Sequence, residues 1–134
     1  MKKVTAITLV FVTLFAIACP AMAAEPRYVN TNIAEVTLVI DGNGLAQVSA
    51  VVSCKLSVQK IRSLLYIERK IGNSWVRVEL GTTNNVWDYT TTKTVLNLSY
   101  SKQLPANGEY RVSGVFTITG SSVETVTDSA VAKY

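Results

Sequence analysis

Apolar and polar residues alternate along most of the chain from residue 34 onward, in short runs separated by Gly, Asn, Asp and Pro. The longest run places apolar side chains at every second position from Ala46 to Val58. A period of two is typical of strands that bury one face, and no stretch of this region shows helical periodicity. About seven such runs in roughly 100 residues predict an all-β, immunoglobulin-like antiparallel β-sandwich. An open barrel is the alternative.

Turn signals set the expected boundaries of these strands. Asp41-Gly42-Asn43-Gly44 predicts a hairpin turn, because Gly and Asn tolerate positive φ. The stretch 81–93 (GTTNNVWDYTTTK) is predicted as a polar loop or a frayed edge. The seven strands are then expected around residues 34–40, 46–58, 61–67, 75–80, 96–100, 110–118 and 123–132.

The N-terminus has the pattern of a secretory signal. A basic start and the apolar run 4–18 precede Ala21-Met22-Ala23, a small-residue cleavage site. We therefore predict a signal peptide over 1–23, one β-sandwich domain over 24–134, and secretion. A competing interpretation uses Cys19 as the lipidated first residue of a lipoprotein, although Ala16 stands where such motifs usually carry Leu.

Two resemblances follow from longer motifs. The stretch LPANGEYRVSGVFTI (104–118) resembles the corner before the penultimate strand of immunoglobulin-like and fibronectin-type domains, where a buried Tyr bonds back to the chain. Tyr110 would be that residue. The antibody Cys-Trp-Cys pattern is absent.

The second resemblance covers most of residues 33–134. KIRSLLYIERKIGNSWVRV, LPANGEYRVSG and SSVETVTDSAVAKY are together similar to a family of small exported proteins of Gram-positive anaerobes. These motifs are strand and turn signatures. The resemblance therefore implies export and a β-sandwich, and it brings no catalytic residues.

The residue inventory argues against an enzyme. The chain has no histidine, so the commonest general base and metal ligand is missing. After removal of residues 1–23 only Cys54 remains of the two cysteines, and one cysteine cannot build a zinc site. Most carboxylates fall at turns or on strand faces predicted to be solvated. We predict no catalytic residues, no metal and no cofactor.

Basic residues concentrate in the segment from Lys55 to Arg77, which holds six cations against the single acid Glu68. If the middle strands are neighbours, Lys60, Arg62, Lys70 and Arg77 share one face that fits an anionic cell-wall polymer or a membrane surface. The other interpretation is a solvated sheet face whose lysines discourage aggregation. A nucleic-acid partner is not expected, because stacking aromatics are not interleaved there.

Aromatic residues mark a second candidate contact. Trp87 and Tyr89 lie in a polar stretch, where they suit stacking on a glycan or docking to a protein partner. Alternatively, Trp87 folds back and caps the open end of the sandwich. Trp75 is interpreted as packing. Cys54 is in register with Val52 and Leu56, which predicts a buried, unreactive thiol.

These observations predict a secreted, non-enzymatic β-sandwich that serves as a binding or structural module at the cell surface. Its oligomeric state does not follow from the sequence. One alternative is a self-assembling or membrane-active β-protein whose Ser/Thr-rich alternating strands, especially the stretch 116–131 (FTITGSSVETVTDSAV), pair edge to edge or form a pore. Another is a lipoprotein anchored through Cys19.

Overall fold

The chain forms two antiparallel β-sheets in a computed structural model that describes residues 28–134. One short 3-10 turn, Thr83–Asn85, interrupts the strands. The predictions of a signal peptide over 1–23 and of a lipidated Cys19 lie outside the described residues. The strands are β1 (Thr31–Ile40), β2 (Leu45–Cys54), β3 (Lys60–Ile71), β4 (Ser74–Arg77), β5 (Trp87–Thr91), β6 (Val95–Gln103), β7 (Glu109–Thr119) and β8 (Val123–Lys133).

The sheets confirm the predicted all-β sandwich. The first has the order β1-β2-β6, and the second has the order β4-β3-β7-β8 with β5 also paired to β3. One edge of β3 therefore carries two short strands, with β4 opposite residues 68–71 and β5 opposite residues 61–65. The other edge of β3 pairs with β7 over ten residues. The strand β3 is thus the centre of the larger sheet.

The core lies between the two sheets and is filled by every second residue of each long strand. In β2 the buried positions run from Ala46 to Cys54, as the alternation predicts. In β3 and β7 the buried side chains are Ile61, Ser63, Leu65, Ile67, Tyr110, Val112, Phe116 and Ile118. Because a strand side chain alternates between faces, the residues between these positions are directed away from the core.

Gly114 leaves room in β7 for a large neighbouring ring. A Cβ at this position would lie 2.8 Å from both Phe116 and Val36. Gly114 is paired with Leu65, at the middle of the β3–β7 ladder. The absence of a side chain here lets the Phe116 ring occupy the space between the sheets.

Tyr110 forms the corner that its sequence context predicts. The residue is fully buried, and its hydroxyl donates a hydrogen bond to the carbonyl of Ala106. Leu104, before the turn, is also buried. The corner therefore fixes where β7 begins.

Two carboxylates of β8 close one side of the sandwich against β1. Glu124 accepts hydrogen bonds from the amides of Val29 and Asn30 and from the Thr31 hydroxyl, the last at 3.0 Å. Asp128 accepts from the Val36 amide at 2.8 Å. Burial alone would raise the pKa of Glu124, but these hydrogen bonds outweigh it and hold the pKa below its ordinary value.

Three local expectations were wrong. Residues 81–93 contain the short edge strand β5, which pairs with β3 and brings the number of strands to eight. Its residues Trp87, Tyr89 and Thr91 are directed to the core side of the sheet. Leu56 is 92% exposed rather than inward, since β2 ends at Cys54 and the chain turns before Val58. The alternation within 75–80 also predicts Val76 on the same side as Val78 and Leu80, but Val76 is exposed, because β4 is only four residues long and lies at the sheet edge.

No helix within residues 28–134 has the length and apolarity that crossing a bilayer requires.

Replacing Gly114 with Ala should destabilise the fold by about 1–3 kcal/mol, because the new methyl group overlaps Phe116 and Val36. Urea unfolding followed by fluorescence measures this change. Gly42→Ala is the matched control, since a Cβ there meets nothing within 4 Å, and it should change stability by less than about 0.5 kcal/mol. Equal effects of the two substitutions would contradict the packing described here.

Glu124→Gln should lower the free energy of unfolding at neutral pH by about 1–2 kcal/mol, because charge-assisted hydrogen bonds to β1 are weakened. The folded-state pKa lies below the unfolded value, so this stabilisation is present above about pH 4.5 and is lost as the pH falls through the folded pKa. The variant should therefore lose less stability than the wild type during acidification. Glu35→Gln, on an exposed face, should leave the wild-type acid profile unchanged.

Candidate binding surface

The structure brings all four predicted basic residues to one face. Lys60, Arg62 and Lys70 occupy outward positions of β3, and Arg77 of β4 is paired with the outward Glu68. Arg111 of β7 joins them because it is paired with Glu68 from the other side. We call the surface formed by Lys60, Arg62, Lys70, Arg77 and Arg111 the basic face.

Two of these cations are neutralised by carboxylates. Arg62 forms a bidentate pair with Asp88 of β5, at 3.1 Å from Nε to Oδ1 and 2.7 Å from Nη2 to Oδ2. These hydrogen bonds lower the pKa of Asp88, which is therefore ionised at neutral pH. Arg111 binds Glu68 at 2.9 Å. Among the described residues, Lys60, Lys70 and Arg77 of this face have no carboxylate within ion-pair distance.

Two aromatic rings lie among the cations of the basic face, which corrects the expectation that aromatics are not interleaved there. The Arg77 guanidinium lies 3.6 Å from the centre of the Tyr66 ring, and Arg111 lies 4.4 Å from the centre of Trp75. Lys70 is 6.0 Å from the same Trp75 ring. Such cation–π contacts hold the side chains over the sheet. Trp75 thus packs as expected, but against Arg111 on the outer surface and not in the core.

The outer face of the other sheet has a different character. Its exposed large apolar residues include Ile33, Val39, Val51 and Val95, separated mainly by Ser, Thr, Asn and Gln. Along the paired positions of β1, β2 and β6 that face outward, Glu35 is the one charged side chain. Among the paired outward positions of the two sheets, positive charge is therefore found on the larger sheet alone.

A cleft of about 560 Å³ opens where β5 meets the basic face. Arg62 and Asp88 form part of its wall, and the segment 82–84 forms another. The segment is held by two side-chain bonds: the Thr82 hydroxyl donates to the Val86 carbonyl at 2.7 Å, and the Asn85 side-chain oxygen accepts from the Leu80 amide at 3.0 Å.

Consecutive asparagines give this segment its shape. Asn84 and Asn85 have φ values of 57° and 52°, a left-handed conformation that asparagine tolerates better than most residues. The Asn84 carbonyl accepts a bond from Arg77 at 3.4 Å, so the cleft and the basic face are physically connected.

Trp87 and Tyr100 form a stacked pair that also lines the cleft. Their ring centres are 4.6 Å apart and their planes differ by 4°. Trp87 is half-buried and packs against the core, so it covers the edge of the sandwich while part of it stays accessible. Tyr89 is 45% exposed on the same strand. Burial raises the pKa of Tyr100, with smaller contributions from Tyr89 and Asp88.

Four residues contribute to this surface beyond those predicted from the sequence, namely Tyr66, Asp88, Tyr100 and Arg111. Tyr66 and Arg111 could have been found, because each lies between two inward positions of an alternating strand, 65 and 67 in the first case and 110 and 112 in the second. Tyr100 could not, since its contact with Trp87 joins strands of different sheets. Asp88 became recognisable only when β5 was seen to pair with β3.

Fold and surface together define the chain as an antiparallel β-sandwich with a basic, aromatic face on its larger sheet. No protein-family model matches the chain, and neither a curated protein nor a solved structure is significantly similar to it. Within residues 28–134, no three His, Cys, Asp or Glu side chains cluster in a way that could hold a metal ion.

Cys54 lies in the core and takes no part in the basic face. The residue is 6% exposed, and burial raises the pKa of its thiol, with a further rise from the negative charge of Glu124. Both effects disfavour the reactive thiolate.

The native protein should therefore react with iodoacetamide at least about 100-fold more slowly than the urea-unfolded chain. Mass spectrometry of timed samples measures the two rates. A Cys54→Ala/Ser57→Cys variant is the matched control, because Ser57 is exposed, and it should react rapidly while folded. Rapid labelling of native Cys54 would overturn its assignment to the core.

Proposed function

We propose that this protein is an exported, non-enzymatic binding module that attaches to an anionic cell-wall polymer through the basic face. The observation that carries the proposal is the convergence of Lys60, Lys70 and Arg77 on one exposed surface. The opposite sheet offers almost no charge on its outer side. Such an asymmetric field attracts a polyanion to one side of the molecule.

The shape of the basic face favours a linear ligand. Lys60 and Lys70 stand at opposite ends of the same strand, ten residues apart. At about 3.3 Å per residue they are separated by roughly 33 Å along β3. A single small anion cannot span that distance, whereas a polymer with regularly spaced negative groups can contact both ends.

Aromatic contacts prepare the face for binding. The Tyr66 ring supports Arg77, and the Trp75 ring lies between Lys70 and Arg111. Side chains held in this way lose less conformational freedom when a ligand binds. Arg62 contributes little net charge, because Asp88 neutralises it.

The carboxylates of the face support binding over catalysis. Arg62 binds Asp88 and lowers the pKa of that carboxyl, so Asp88 offers no protonated acid for proton transfer, and Glu68 is bound by Arg111. Export rests on the signal-like N-terminus and on the resemblance to exported proteins. Edge-to-edge self-assembly remains a prediction. At β8 it is disfavoured by Glu124 and Asp128, because these carboxylates accept hydrogen bonds from the amides of Asn30 and Val36.

Purified Gram-positive cell wall, with and without its anionic polymers, provides the test. The mature protein should sediment with the intact wall at low salt, and high salt or removal of the anionic polymers should release it. Lys60→Glu/Lys70→Glu should weaken wall binding about tenfold or more, a loss of at least about 1.4 kcal/mol.

Lys55→Glu/Lys93→Glu is the matched control. It makes the same change in net charge at two exposed lysines outside the basic face, so it should bind nearly as well as the wild type. Wall binding that does not change with salt concentration, or that falls equally in both double variants, would refute the basic face as the binding surface.

A further inference from the structure

The cleft beside β5 combines an aromatic platform with a rigid polar wall. Trp87 and Tyr100 provide the platform, and the Arg62–Asp88 pair provides the wall. We propose that this cleft holds a neutral sugar ring, so that the ligand of the basic face is an anionic glycan. The inference rests on the proposed function and specifies the chemistry of its ligand.

Sugars present two kinds of surface, and the cleft matches both. The C–H groups of a pyranose form an apolar face that packs on aromatic rings, while its hydroxyls require donors and acceptors around the rim. Trp87 and Tyr100 are parallel to within 4°, and both line the cleft. Because the two rings stack on each other, a sugar would pack on the exposed side of the pair that borders the cleft.

The Arg62–Asp88 pair keeps hydrogen-bonding capacity after the two residues bind each other. Arg62 uses Nε and Nη2 toward Asp88, so further N–H donors of its five remain. Each Asp88 oxygen has lone-pair capacity beyond the bond it accepts. Adjacent hydroxyls of a sugar need this combination of a fixed donor and a fixed acceptor.

The cleft is formed before any ligand arrives. Thr82 and Asn85 bond to the backbone of their own segment, and Arg77 binds the Asn84 carbonyl. A volume of about 560 Å³ falls within the roughly 300–1,000 Å³ that ligand sites occupy. In a preformed site, little free energy is lost in ordering side chains and loop when the ligand binds, so even a single sugar ring can bind weakly.

The position of the cleft links it to the basic face. Arg62 belongs to both, and Arg77 joins them through Asn84. A glycan with one ring in the cleft would therefore continue along the cations of β3. A polyanion without sugar rings would use the basic face and leave the cleft empty.

The two tryptophans give the experiment an internal control. We would titrate the 15N-labelled mature protein with neutral methyl glycosides of glucose, galactose, mannose and N-acetylglucosamine, and follow both indole N–H signals by NMR. At least one glycoside should shift the Trp87 signal saturably, whereas the Trp75 signal on the basic face should stay unchanged. Raised salt should not affect this binding, since the probes carry no charge.

Arg62→Ala/Asp88→Ala removes the polar wall while leaving the core intact. The pair is exposed, so its loss should change stability little and the variant should fold. Its affinity for the active glycoside should fall about tenfold or more. Lys55→Ala/Lys93→Ala, at exposed positions outside the basic face, is the control and should bind the glycoside like the wild type.

Three results would overturn the sugar site: no Trp87 shift with any glycoside, equal shifts of both indoles, or undiminished affinity in Arg62→Ala/Asp88→Ala. None of them affects the proposed function, which depends on salt-sensitive wall binding through Lys60 and Lys70. Conversely, a Trp87 shift without wall binding would support the sugar site and would exclude an anionic wall polymer as the ligand of the basic face.

Discussion

The register between β3 and β7 is the constraint on which the rest of the molecule depends. Ten consecutive residue pairs join the two strands, and a slip by one residue would turn every side chain of β3 to the opposite face. Ile61, Leu65 and Ile67 would then leave the core, and the basic residues would enter it. Gly114 and Tyr110 both face the core in this register: Gly114 leaves room for Phe116 and Val36, and Tyr110 is fully buried with its hydroxyl bonded to the Ala106 carbonyl.

The same register also forms the basic face, because it decides which side chains of β3 remain outside the core. With one set of alternate residues buried, Lys60, Arg62, Tyr66 and Lys70 necessarily share the solvated side. The strands β4 and β5 pair with different halves of the same edge of β3. Arg77 of β4 therefore contacts Tyr66, and Asp88 of β5 contacts Arg62. The chain between the two short strands forms the wall of the cleft.

Local alternation in the sequence predicts most of this fold but not its contacts across sheets. The two-residue period placed Cys54, Ile61 and Leu65 inside correctly, since burial on one face of a strand is a local property. The strand β5 was missed because a five-residue edge strand among Thr and Asn carries little hydrophobic signal. The Trp87–Tyr100 stack depends on the packing of separate sheets, which no local pattern encodes.

The central claim is that one face of the larger sheet contacts the wall polymer. Acetylation of lysines in the mature protein, with and without bound cell wall, tests this most directly when each site is quantified by mass spectrometry. Lys60 and Lys70 should become protected on the wall, while Lys55 and Lys93 should keep their reactivity. Protection spread evenly over all four lysines, or confined to Lys55 and Lys93, would contradict it.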